Sequence, residues 1–343
     1  MSEKITLRHV AELADVSVAT VSLVLNDREG VSQQTRDRVM DAALKVGYIE
    51  EKPPEAIQRT LRLLSPYDVG EPRENIDIGF YGRVLGGVER ECRQQNISLI
   101  FSGIMIDPYQ SLNEWPPMAV DADMDGFIII GGTITPSLEA KLVQLNKPIL
   151  LLNSYTKMAL YDAVYIDNFA GAYAAVTHLI EKGHTHIGVV GSNERDLCHR
   201  SIYERRQGYL AALADHNIQH TYITNSLFKL DVAEEAAYQL LKDNPQITAV
   251  FACNDHLSVG VMDAARRLHL KLPDDLSIVG FDDDSMFSTI VRPSLTTMRV
   301  DQPLLGVLGV RMLLNRIENP AQTPIYTTVT TSLVERESVK DIT

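Results

Sequence analysis

The chain has 343 residues, 45% hydrophobic and 22% charged, with a formal net charge of −13 at neutral pH. That length accommodates two or three domains with full cores, and the composition is ordinary for a soluble globular protein. The acidic balance excludes a protein that coats nucleic acid non-specifically. The start MSEKITLRHV has no apolar core, so no secretory signal is read and a cytoplasmic location is expected. Apolar runs such as FIII at 127–130 are too short to span a bilayer, so no membrane partner is expected. Cys92, Cys198 and Cys253 lie far apart without metal-ligand spacing, which reads as reduced structural thiols with no metal and no cofactor.

Residues 6–48 announce three short helices through their caps and apolar spacing. Thr6 caps a first helix with Val10, Leu13 and Ala14 on one face; Ser17 caps a second with Val21, Val24 and Leu25 inward. Ser32 caps a third with Val39, Ala43 and Val46 inward and Gly47 as its stop. The link between the first two is Asp15-Val16, and two short helices on so tight a turn form a helix-turn-helix, whose second helix can enter a DNA major groove. Thr6, Ser17, Thr20, Ser22, Asn26, Ser32 and Thr35 read as phosphate partners, a role compatible with capping by Ser17 and Ser32. Residues 1–62 carry nine Lys/Arg against ten Asp/Glu. DNA binding then rests on the placement of a few cations and hydroxyls, and on two copies acting together.

After Tyr48 the stretch IEEKPPEAIQRTLR is a charged, Pro-bearing linker. From about residue 62, strand-like runs (62–65, 98–101, 126–130, 148–152, 187–190, 249–252 and 277–281) alternate with helix-like segments (83–95, 137–145, 168–182, 205–216, 232–243 and 256–268). Such alternation predicts doubly wound parallel sheets with helices on both faces, in two subdomains. Ligands of such sheets bind at strand C-termini. The residues at those ends suit a polyol: Asn153 after PILLL, Arg205 before a helix, Asn254-Asp255 after VFAC and Asp282 after SIVGF. Asp255 reads as a helix cap, and Asp283 and Asp284 as caps of the following turn. The run Asp282-Asp283-Asp284 also admits an enzymatic reading, with catalytic acids or a magnesium ion at a strand end. No nucleophile elbow, phosphate-cradling loop or zinc spacing supports it, and no catalytic residue is assigned.

The run VAELADVSVATVSLVLN, with VSQQTRDRV and GY after it, resembles the N-terminal domain of the lac repressor (LacI/GalR) family. LNKPILLLN, YIDNFAGAYAAVTHLIEKGHTHIGVVG, RQGYLAAL, VFACNDHLSVGVMDAARRL, LPDDLSIVGFDDDS and RPSLTTMRVDQPLLGVLGVRMLL follow its landmarks in order. The resemblance implies a helix-turn-helix domain (1–49), a linker or hinge helix (50–62) and two lobes similar to periplasmic sugar-binding proteins. Those lobes are 63–163 with 295–323, and 164–294 with 324–340. It further implies a homodimeric transcriptional regulator, a repressor by analogy. The protein would bind a double-stranded, pseudo-palindromic operator and be switched by a small-molecule effector, a sugar first and a nucleoside or purine second.

By the same resemblance, Val18, Ala19 and Leu23 are the base-reading positions, all apolar here and suited to thymine methyls, with a core role for Leu23 as the alternative. Leu61 is the minor-groove wedge of a hinge helix spanning Ala56–Leu61, with Arg59 beside it on the DNA, or else the stretch is a plain tether. Phe80 and Tyr81 match an aromatic pair of the family, with a core role open, and Arg205, Asn254 and Asp282 match effector contacts. Asp15 stands where Gly is usual, and Asp tolerates the left-handed conformation that turn needs.

Overall fold

A computed structural model describes residues 6–25, 28, 31–46, 48, 59–68, 78–106, 112–114, 124–132, 134–191, 200–226 and 230–343. Asn26, Gly47, Cys198 and the linker from Ile49 to Gln58 lie outside the described residues. The chain divides into two compact units, Met1–Gln58 and Arg59–Thr343.

The first unit contains α1 (Leu7–Ala14), α2 (Val18–Leu25) and α3 (Gln33–Lys45). Its core is Val10, Ala11, Ala14, Val21, Val24, Val39, Ala42 and Ala43. Leu13 departs from the expected face and is 53% exposed. The buried stripe of α1 is centred between Val10 and Ala11, and Leu13 projects roughly 110° away from that centre at 3.6 residues per turn. Asp15 takes φ 51, the left-handed cap its sequence position called for. The Oγ of Ser17 accepts the Thr20 N–H at 3.1 Å, and that of Ser32 accepts the Thr35 N–H at 3.3 Å.

The second unit opens with β1 (Thr60–Asp68), α4 (Ile78–Gln94), β2 (Ser98–Ile106), β3 (Leu112–Glu114), β4 (Gly126–Ile130), α5 (Pro136–Gln144), β5 (Ile149–Leu152) and β6 (Asp162–Ile166). It continues through α6 (Asn168–Glu181), β7 (Ile187–Val190), α7 (Arg200–Asp215), β8 (Tyr222–Thr224), α8 (Leu230–Asp243), β9 (Ala249–Ala252), α9 (Asp255–Arg267), β10 (Ser277–Asp282) and α10 (Ser285–Ser288). The last elements are β11 (Thr296–Arg299), α11 (Gln302–Glu318), β12 (Tyr326–Val329) and β13 (Ser332–Val334). One sheet runs β12-β6-β5-β4-β1-β2-β3 and the other β13-β11-β10-β9-β7-β8. Only the outer pairs β2–β3 and β11–β13 are antiparallel among the described strands.

These orders move the crossings between lobes a few residues later than 163, 294 and 323. β6 still belongs to the first sheet, β11 to the second and β12 to the first again. The chain therefore crosses between Ile166 and Asn168, between Arg299 and Gln302, and between Val329 and Ser332. The strands involved, DAVYI, TTMR, YTTV and SLV, are short and partly polar, so they give no apolar run to read.

β1 also starts earlier than the sequence suggested, and Leu61 changes role with it. Leu61 pairs with Leu99 and Gly126, is 0% exposed, and shares a core with Leu63, Val84, Val88 and Ile128. A side chain in a central strand is not available as a minor-groove wedge. Arg59, likewise expected at DNA, forms an ion pair with Glu318 at 3.1 Å. The linker thus gives way to the lobe at Arg59 rather than after Arg62.

Beside Leu61, Arg62 points to the opposite face between its register neighbours Ile100 and Phe127 and is 0% exposed. Its three guanidinium nitrogens make no hydrogen bond among the described residues. Leu61→Ala, which empties a core position, is expected to cost the second unit about 2–5 kcal/mol of stability. Denaturant unfolding of the variant checks the sign and size.

Two histidines are buried at the end of α6 and in the turn after it. His184 is buried, with Nδ1 2.9 Å from the Thr248 hydroxyl and Nε2 3.1 Å from the Lys340 carbonyl. Burial holds both His178 and His184 below the ordinary imidazole value. A depressed folded value means that the unfolded chain takes up protons first on acidification. The contribution of both groups is complete above about pH 6.5 and is lost as pH falls through their lower folded values. The expected result is a melting temperature that drops below pH 6.5, with a shallower drop in His184→Gln.

Candidate functional site

The outward surface of the helix-turn-helix is built by the start of α2. Val18 and Ala19 are exposed, Ser22 and Leu23 are half-buried, and Leu23 is absent from the apolar cluster of the unit. That arrangement favours a groove-facing Leu23 over the core alternative. The hydroxyls of Ser17 and Thr20 lie 2.8 Å apart, as do those of Ser32 and Thr35 at 2.9 Å. Each pair sits at the N-terminus of a helix, where free N–H groups and the helix dipole favour an anion such as phosphate. Thr6 is exposed at the start of α1, and its N–H donates to Nδ1 of His9 at 3.1 Å.

In the second unit Arg205, Asn254 and Asp282 gather at the ends of β9 and β10, and Tyr155 of the first lobe connects Asn153 to Asn168. Arg205 is the hub and is 4% exposed. Its Nε donates to Asn168 Oδ1 at 2.9 Å, one Nη to Asp282 Oδ1 at 3.0 Å and the other to the Cys253 carbonyl. Its plane lies over the Phe281 ring, 3.7 Å from the centroid. A planar guanidinium meets this mixed demand of fork and stacking surface, which a lysine cannot. Asp282 adopts φ 107, a region that side chains rarely occupy and that costs on the order of 1–3 kcal/mol. Arg205 on its carboxylate and the 2.8 Å bond from Gln302 to its carbonyl hold it there.

The neighbouring aspartates are each committed to a cation. Asp283 receives Arg299 at 2.7 Å and Arg336 at 2.6 Å, and Asp284 lies 3.1 Å from Arg83. The guanidiniums hold the Asp283 carboxyl below its ordinary range against the opposing effect of burial. This is an ion-paired turn, not the open carboxylate set that the enzymatic reading needs. Asp284 caps α10 through Met286, as expected, but the cap of α9 is Asn254 rather than Asp255. Asn254 Oδ1 accepts the Leu257 N–H at 2.8 Å. Asp255 is fully buried behind it, accepting from the Asp284 N–H at 2.7 Å and from the Thr297 hydroxyl. Burial pushes its carboxyl well above the ordinary range.

The first lobe contributes Tyr81, Asn153 and Tyr155. Phe80 belongs to the core, while Tyr81 is half-buried and meets the Phe80 ring edge-on at 5.1 Å. Asn153, at φ 49, accepts from the Tyr155 hydroxyl at 3.3 Å. Asn168 of the second lobe donates to that same hydroxyl at 3.3 Å and to Glu204 at 3.2 Å. Sequence reasoning missed Asn168, Tyr155 and Glu204. Asn168 stands in YIDNFAG, where it reads as the first residue of a helix, and only its partners reveal a bridge between lobes.

Arg205→Ala is expected to destabilise the second lobe by about 3–5 kcal/mol, because it leaves the Asp282 carboxylate buried without its guanidinium. Arg205→Lys should recover little of this, since an ammonium holds its three donors at one point, cannot span the separated acceptors and has no planar face to cover a ring. Thermal unfolding reads both, and a full rescue by lysine would reduce Arg205 to a point charge.

Residues 6–51 match the model of bacterial regulatory proteins of the lacI family, and residues 176–339 match a periplasmic binding protein-like domain. The chain is 31% identical to the HTH-type transcriptional repressor CytR of Escherichia coli K12, over 91% of this chain and 90% of that protein. It is 28% identical to the ribose operon repressor of Haemophilus influenzae, over 97% of this chain and 98% of that protein. Its fold matches that of the lac repressor dimer bound to operator and the anti-inducer ONPF, with a TM-score of 0.65, 22% identity and coverage of 98% and 100% of the two chains. The chain belongs to the LacI family of bacterial transcriptional regulators.

Proposed function

We propose that this protein represses transcription in the cytoplasm as a homodimer whose operator affinity is set by a small polyol, a sugar of the monosaccharide class, held between the two lobes. The observation that carries this reading is the Arg205 fork. It gathers Asp282, Asn168 and a strand-end carbonyl in the second lobe. Asn254 follows β9 in that lobe, Asn153 follows β5 in the first lobe, and the Tyr81 hydroxyl lies against Gly131 at the end of β4. Carboxylate, guanidinium and amides offer charge-assisted and two-sided bonds to neighbouring hydroxyls, and an aromatic face suits the C–H side of a sugar ring. The name of the ribose operon repressor points to the same ligand class.

Operator reading is assigned to Val18, Ala19 and Leu23, with Thr6, Ser17, Thr20, Ser22, Ser32 and Thr35 positioning the helices on phosphates. Arg59 and Leu61 are not part of this set. A wedge from the linker would come from the residues before Arg59.

Thermal shift against pentoses, hexoses, sugar phosphates, nucleosides and purines tests the effector class. The expected result is a concentration-dependent rise with a sugar, lost in Asp282→Asn while operator binding is retained. A rise with purines alone would replace the sugar reading. For the DNA side, Leu23→Arg is expected to introduce a guanine preference at one position of each half-site, worth about 1–3 kcal/mol, in selection from random duplexes. A loss of affinity uniform across sequences would remove Leu23 from base reading.

A further inference from the structure

The ion pair between Arg83 and Asp284 connects the two lobes directly. Arg83 lies on α4 in the first lobe, and Asp284 lies between β10 and α10 in the second, with Nη2 and Oδ2 3.1 Å apart in a charge contact that lacks hydrogen-bond geometry. Both ends are anchored. On the first side, α4 is fixed to α11 by backbone approach so close that side chains are excluded. A Cβ on Gly87 would lie 2.1 Å from the Pro303 carbonyl, and one on Gly306 would lie 2.2 Å from that of Val84. On the second side, Asp284 caps α10, and its N–H is held by buried Asp255 at 2.7 Å. Neither end can follow the other without moving a lobe.

We propose that Arg83–Asp284 is a latch that holds the lobes in the arrangement seen here, separate from the residues proposed to contact effector. Asp283 is pinned by Arg299 and Arg336, so Asp282 and Asp284 belong to one stiff tripeptide. A ligand engaging Asp282 therefore acts on the turn that carries the latch. This last consequence rests on the effector reading above; the latch itself does not, and it can be tested with no effector present.

The experiment is a spin-label distance measurement on the full chain. Labels are placed at Lys141→Cys in α5 and Gln239→Cys in α8, in a background with Cys92, Cys198 and Cys253 changed to alanine. Dilution with unlabelled protein leaves only distances within one chain. The unsubstituted latch is expected to give one main distance. Arg83→Gln and Asp284→Asn should each raise a longer-distance population by roughly three- to ten-fold, the scale of a half-exposed ion pair. Because the two residues act as a pair, the double variant should match the single ones rather than add to them. Arg83→Lys should stay near the unsubstituted distribution. Asn caps helices as well as Asp, so Asp284→Asn keeps α10 intact. Unchanged distributions in the two single variants, or additive effects in the double variant, would overturn the latch.

Discussion

The ion-paired stack of Arg205 is the constraint on which the second lobe depends. One guanidinium satisfies acceptors from the start of α6, the end of β9 and the end of β10, and covers the Phe281 ring. Buried charge is tolerable only when paired and hydrogen-bonded, so these segments must stay in register with each other to keep it neutralised. The same requirement holds Asp282 in a backbone conformation that it would otherwise leave. Under the proposed effector site, stability and ligand recognition would be properties of one cluster. A ligand that takes over a bond from Arg205 or Asp282 must supply an equivalent partner, which selects for hydroxyl-rich molecules over apolar ones.

The first lobe is held together by different means. Arg316 grips Asp162 through two bonds of 2.8 Å, and Asp162 also accepts the Ile325 N–H at 2.7 Å, so the end of α11, β6 and the approach to β12 form one joint. Glu91 is buried under Arg311, whose guanidinium holds its carboxyl below the ordinary range. With both lobes internally braced, relative motion is left to the three short crossings and to the contacts across them. Few such contacts are needed to bias a two-state equilibrium, because each kilocalorie is a large fraction of a gap of a few kilocalories.

Sequence periodicity revealed what depends on local pattern. The headpiece helices, the left-handed turn at Asp15, and the runs that became β4, β5, β7, β9 and β10 all carry caps or unbroken apolar stretches. It did not reveal what depends on partners. The family resemblance made Leu61 a wedge, yet pairing with β2 and β4 decides its burial. Leu13 has the spacing of a core residue but falls outside a stripe set by packing against α2 and α3. Asp255 reads as the cap of α9 in the sequence, and only the hydrogen bonds give that role to its neighbour Asn254. Asn168 and Arg83 each have a partner in the other lobe, Tyr155 and Asp284, which no spacing rule reveals.

The headpiece shows why the lobes matter for DNA. With Lys and Arg outnumbered in residues 1–62, the electrostatic contribution that dominates most DNA binding is small here. If Val18, Ala19 and Leu23 are the readers, as proposed, they add contact with methyl groups but few hydrogen bonds to base edges, and each half-site would supply limited free energy. Under the proposed homodimer, useful affinity would require two copies of the first unit bound at once, a gain that would disappear when their spacing does not match the operator. Cooperation of that kind would convert a modest shift in lobe arrangement into a large change in occupancy. By linkage, operator binding must shift the effector equilibrium by the same free energy. A weak headpiece is thus a condition for control: a headpiece that bound tightly alone would be indifferent to the cleft.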